Sequence, residues 1–189
     1  MDNNKTQNNT IYMFIDASNV WNAVKSVKKF IEYKTLKDYF RKNFNANKVE
    51  IFYYDAYPKV GTRDYDLDGK HKFFTYLKKG LGFTVRKKEL KRISIISEGG
   101  ESIIEKGNMD VEMTIDAMHN IQKYNIAIFF SGDADFLALV NYLKNAGKKV
   151  YIFSSKDNIS HELRTGGDGY FDLKDIQEFW GKDLKHREK

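Results

Sequence analysis

Short apolar runs, each ending in an acid or a turn and each followed by a helix-like stretch, constrain this chain more than any other feature. Ile11-Tyr12-Met13-Phe14-Ile15 and Ile126-Ala127-Ile128-Phe129-Phe130 contain no charged side chain. Runs of this kind suit strands buried on both faces, as in a parallel sheet covered by helices on both sides. Val49–Tyr54 and Val150–Phe153 read as further strands. Helical patterns occupy about Val20–Phe30, Leu36–Phe44, Lys70–Lys79, a segment capped by Asn108 from Met109 to about Lys123, and 134–145. The alternation predicts a mostly parallel α/β sheet in three layers. Residues 58–69 hold the only proline and read as a loop, and Phe83–Leu90 is a basic strand. Residues 93–104 form a hairpin around the turn Glu98-Gly99-Gly100-Glu101. A short helix at 159–164, a strand-like Tyr170–Leu173 and a final helix carrying Phe179 and Trp180 close the chain.

A chain of 189 residues suits one domain with a proper core. We place that domain at 11–180, after a disordered leader at 1–10 and before a charged tail at 181–189. No apolar run approaches the ~20 residues needed to span a bilayer. The polar start lacks the apolar centre of a signal peptide, so a cytoplasmic address is expected. The absence of cysteine excludes disulfides, thiolate metal sites and cysteine nucleophiles. The net charge of +6 is concentrated. Between Lys78 and Arg92 stand Lys78, Lys79, Arg86, Lys87, Lys88, Lys91 and Arg92, against the single acid Glu89. Such a cluster suits a polyanion; it equally suits a solvated helix face and a lysine-protected sheet edge.

Three segments place carboxylates where they can converge. The first strand runs into Asp16-Ala17-Ser18-Asn19, the strand 126–130 runs into Ser131-Gly132-Asp133-Ala134-Asp135-Phe136, and a helix start carries Asp110. In open α/β sheets, ligands bind beyond the carboxyl ends of the strands. Neighbouring carboxylates repel unless they bind a cation or share a proton, and oxygen-only ligands suit Mg²⁺ or Mn²⁺. Taken singly, Asp16, Asp133 or Asp135 is explained as a helix cap, and Asp110 as an acid favoured by the helix dipole. Asp116 lies about 120° around its helix from Asp110, by the 100° step, and so faces elsewhere, in a supporting or structural role. The four histidines form no ligand pair, and no phosphate-binding glycine loop is present.

Phe14-Ile15-Asp16-Ala17-Ser18-Asn19, Lys106-Gly107-Asn108-Met109-Asp110-Val111 and Ser131–Phe136 resemble, in that order, the signatures of NYN-domain proteins of the LabA-like group. Ser160-His161-Glu162-Leu163-Arg164 and Asp168–Leu173 resemble the group's closing segment. Ala17 stands where the family commonly has glycine, and Asn108 adds a residue between Lys106 and Asp110. The resemblance implies a PIN-like (Rossmann-like) three-layer α/β/α fold and metal-dependent ribonuclease chemistry. It assigns metal-site roles to Asp16, Asp110, Asp133 and Asp135, and supporting polar roles to Asn19 and Ser131. The expected activity is a Mg²⁺- or Mn²⁺-dependent endoribonuclease, its RNA held by the Lys78–Arg92 residues. A non-catalytic RNA- or protein-binding relative is the alternative. A metal-dependent nucleotidase or phosphatase ranks lower, because Asp16-Ala17-Ser18 lacks the Asp-x-Asp of haloacid-type phosphatases. A homodimer through the 93–104 hairpin is compatible with the sequence, as is an edge-capping role for it.

Overall fold

The computed structural model describes residues 9–62, 67–97 and 100–184. Its elements in chain order are β1 (Asn9–Asp16), α1 (Ala17–Val27), β2 (Lys29–Ile31), α2 (Leu36–Asn43), β3 (Ala46–Tyr57), α3 (Asp68–Thr75) and β4 (Thr84–Glu89). There follow β5 (Lys91–Ser97), β6 (Gly100–Lys106), α4 (Asp110–His119), β7 (Ile126–Phe130), α5 (Leu137–Asn145), β8 (Lys149–Ser154), α6 (His161–Gly166), β9 (Gly169–Asp172) and β10 (Trp180–Asp183). Six strands form a parallel sheet in the order β4-β3-β1-β7-β8-β9. The chain builds outward from β1 to β4, then returns to lay β7 against the other side of β1. That reversal puts a topological switch point between β1 and β7, where a crevice opens at the carboxyl ends of the strands.

Side chains alternate across β1, and this alternation creates two cores. Ile11, Met13 and Ile15 pack with Val20 and Val24 of α1, Phe40 of α2 and Phe74 of α3. Tyr12 and Phe14 face the other way, toward Met113 of α4, Leu139 and Val140 of α5, and Leu163 of α6. With helices on both faces the molecule has the expected three α/β/α layers. Ile11–Ile15 of β1 and all of β7 are apolar because neither face meets water: every one of these residues is buried.

Several elements differ from expectation, each for a local reason. The first helix stops at Val27, where Lys28 takes a left-handed conformation (φ 60°) and its N–H bonds the Val24 carbonyl. Phe30 consequently lies in β2. The segment at the C-terminal end that reads as a helix is a short 3₁₀ turn, Gln177–Phe179, followed by β10, which pairs antiparallel with β2. α4 begins at Asp110 without a side-chain cap; Asn108 donates to the Asp110 carboxylate instead. The hairpin is β5–β6, outside the main sheet. Glu98 and Gly99 of its turn, 63–66 of the expected loop, 1–8 of the leader and 185–189 of the tail lie outside the described residues.

Candidate metal centre

Asp16 ends β1 and caps α1. One carboxylate oxygen accepts from the Ser18 N–H (2.9 Å) and the Ser18 Oγ (2.8 Å), and the other accepts from Asn19 Nδ2 (2.6 Å). Capping fixes the side chain at the strand end, so the structural role also orients the group toward the crevice. Asp133 does the same after β7, accepting from the Asp135 N–H (3.0 Å) as cap of the turn Ala134–Phe136. Ser131 is fully buried beside it, and its Oγ accepts from the Asp133 N–H at 3.3 Å.

Asn19 ties these ends together. Its Oδ1 accepts from the Gly132 N–H (2.9 Å) and from Asn158 Nδ2 (2.7 Å), while its own amide N–H holds Asp16. The turn at Gly132 admits no side chain. A Cβ there would lie 2.2 Å from the Asn158 carbonyl oxygen and 2.7 Å from Ser154 Oγ. Asn158, on the loop after β8, is therefore part of the scaffold although no motif marks it. The juxtaposed glycine in Ser131-Gly132-Asp133 was the only hint that another backbone comes close.

Asp110, in the first turn of α4, meets Asp133 and Asp135, and one carboxylate oxygen from each lies within 4.8 Å of the others. Asp16 flanks this trio and adds to its field. Burial, then the charges of Asp133, Asp16 and Asp135, push the Asp110 carboxyl up to about 6, against a smaller opposing effect of Lys88. The oxygen-only donor set and the unrelieved crowding of negative charge both fit a hard divalent cation.

The carboxylates open into a crevice of about 840 Å³. Its floor is Tyr53 and Asp55 at the end of β3, one wall is α1 with β2 and β10, and the other is Gly107–Asp110 with Asp133. Burial raises the Tyr33 and Tyr53 phenols above their ordinary range. Burial also raises the Asp55 carboxyl, which Lys70 partly offsets through an ion pair at 3.1 Å.

Asp116 does not join the trio. It faces β3 and β4, where Arg86 grips it with Nε and a terminal nitrogen at 2.9 Å each and the Tyr54 hydroxyl donates at 3.0 Å. The basic residues between 78 and 92 are likewise spread out. Lys88 pairs with Glu112 (2.8 Å), Arg92 lies 3.8 Å from Glu105, and Lys87 covers the rings of Tyr57 and Phe74. Lys78 and Lys79 sit on the π-helical turn Tyr76–Gly80, and Lys91 opens β5. Among the described residues no helix is long and apolar enough to cross a membrane.

The NYN-domain family model matches residues 10–174. The low amplitude and bright protein LabA of Synechococcus elongatus is 31% identical over 167 residues, spanning 88% of this chain and 85% of its own length. The Methanocaldococcus jannaschii protein MJ0482 is 34% identical over 77 residues, 40% of this chain and 32% of its own. A Vibrio parahaemolyticus protein of unknown function, VPA0982, has a crystal structure that superposes with a TM-score of 0.66 at 22% identity. The superposition covers 95% of this chain and 99% of that one, and it concerns the fold alone.

Proposed function

This chain belongs to the NYN-domain family, and from that premise we propose that it is a divalent-metal-dependent endoribonuclease. The observation that carries the reading is the carboxylate trio Asp110, Asp133 and Asp135, flanked by Asp16, at the switch point of the sheet. Asp110, Asp133 and Asp135 would hold Mg²⁺ or Mn²⁺, with Asp16 at the edge of the same site. Such an ion, when bound, polarises a phosphodiester oxygen and lowers the pKa of an attacking water.

The chain's own residues do the positioning. Asn19 keeps the β1 and β7 ends in register, and its amide aims Asp16. Asn108 orients Asp110. Tyr33 and Tyr53 line the crevice through which a ribose–phosphate chain would pass. In-line attack on phosphorus leaves a 5′-phosphate and a 3′-hydroxyl.

The test is cleavage of a single-stranded RNA in Mn²⁺ or Mg²⁺ by wild type and by Asp133→Asn. The expected loss is ~100-fold or more, the scale of removing one group that stabilises developing charge, with an unchanged circular dichroism spectrum. Equal rates for the two proteins reject the mechanism. Wild-type protein that binds RNA without cutting it would mark the non-catalytic alternative. Phosphate release from mononucleotides without polymer cleavage would mark a nucleotidase.

A further inference from the structure

The crevice has a half that the carboxylates do not explain. Trp21 of α1 and Phe30 of β2 line it, with 46% and 45% of their surfaces exposed. Their ring centroids are 6.5 Å apart and their planes are tilted by 36°. Neither ring belongs to the two buried cores. The neighbours show that local sequence does not force this exposure: Val20 and Val24 on α1 and Ile31 on β2 are buried. Two aromatic rings left open on the wall of a concave site are a stacking platform, since a planar π ligand covers them with little loss of polar hydration. Lys182 of β10, exposed on the same wall, adds a positive charge beside the rings.

We propose that Trp21 and Phe30 form a base-stacking subsite that holds one unpaired base of the bound strand on the crevice wall away from the carboxylates. The proposal rests on the ribonuclease reading of the carboxylate end. The crevice joins the two ends, so a chain whose backbone passes the trio brings a neighbouring base to the rings. Bases within a duplex are stacked on each other and offer no free face to a side chain. A crevice of about 840 Å³ is the size of a small-ligand pocket, suited to a nucleotide or two and not to a helix. Lys182 is placed to meet a phosphate of the same strand. Lys70 is occupied by Asp55.

Trp21 is also the reporter. The chain's other tryptophan, Trp180, donates its indole N–H to the Leu173 carbonyl at 3.1 Å; Trp180→Phe leaves Trp21 as the only one. In this protein, without divalent ions so that no cutting occurs, a short single-stranded oligoadenylate is expected to quench the fluorescence. The same sugar–phosphate chain without bases should not, and a perfect duplex should do so weakly. Trp21→Ala should weaken oligoadenylate binding about ten-fold, within the range for one stacked base, and Trp21→Phe should restore most of it. With metal added, Trp21→Ala should raise KM and leave kcat little changed, the pattern of lost uniform binding. Cleavage by the wild type combined with no quenching and an unaltered KM in Trp21→Ala overturns the stacking subsite while the metal chemistry stands. Wild-type protein that neither binds nor cuts RNA overturns both.

Discussion

Burial and three neighbouring carboxylates hold the Asp110 carboxyl at about 6, well above its ordinary value. The sign of the consequence follows from proton counting. Between the unfolded and folded values the native state carries the extra proton, so this group's contribution to stability falls as pH rises through that window and is unfavourable above it. Metal-free protein should therefore lose thermal stability between about pH 4 and 6 through Asp110, and Asp110→Asn should flatten that slope; melts in chelator at each pH measure it. Divalent binding should weaken as pH falls through about 6, because a proton then competes with the ion, and calorimetric titration with Mn²⁺ reads that directly. Asp16, Asp110, Asp133 and Asp135 were legible in the sequence because each sits in a local pattern of strand end or helix start. Asn158 was not. It enters through a tertiary approach to Gly132 and Asn19, and nothing in the residues around it announces that partner.

At the scale of elements, one ion pair fastens the edge of the sheet to a helix. Arg86 on β4 reaches Asp116 on α4 through two bonds, and Asp116 is only 8% exposed. Arg86→Ala would leave that carboxylate with the Tyr54 hydroxyl alone and should cost about 2–3 kcal/mol, the scale of hydrogen bonds to a charged group. Arg86→Lys should recover only part, since an ammonium cannot reproduce the planar fork. Urea denaturation checks both. Charge patterning alone grouped Arg86 with Lys78, Lys79, Lys87, Lys88, Lys91 and Arg92; it could not show that Asp116, Glu112 and Glu105 stand opposite three of them, because those acids arrive from α4 and β6. Element type followed a related rule. β1 and β7 were readable as buried runs, whereas β2 and β10 are three and four residues long and mix Lys, Gly and Asp with aromatics. Strands that short carry no usable period, so their neighbours' helical patterns absorbed them.

For the whole molecule, the region beyond the family match, which ends at residue 174, still secures the fold. Phe179 is fully buried against Phe40, Phe130 and Phe153, bridging α2 to β7 and β8. Phe179→Ala should cost about 3–5 kcal/mol, seen as a lower urea midpoint with an unchanged slope. β10 then returns to β2, and the Leu184 N–H bonds the Lys28 carbonyl at 2.7 Å, fixing the aromatic wall of the crevice from the far end of the chain. The switch point between β1 and β7 also sets a timetable. Asp16 leaves the ribosome early, but its sheet neighbour β7, the Asp133 turn and the Asn158 loop are synthesised much later, and a domain folds as a unit. A nascent chain therefore carries the first carboxylate with nothing to complete the site. The carboxylates meet only once β7, the Asp133 turn and the Asn158 loop have joined β1 and Asn19.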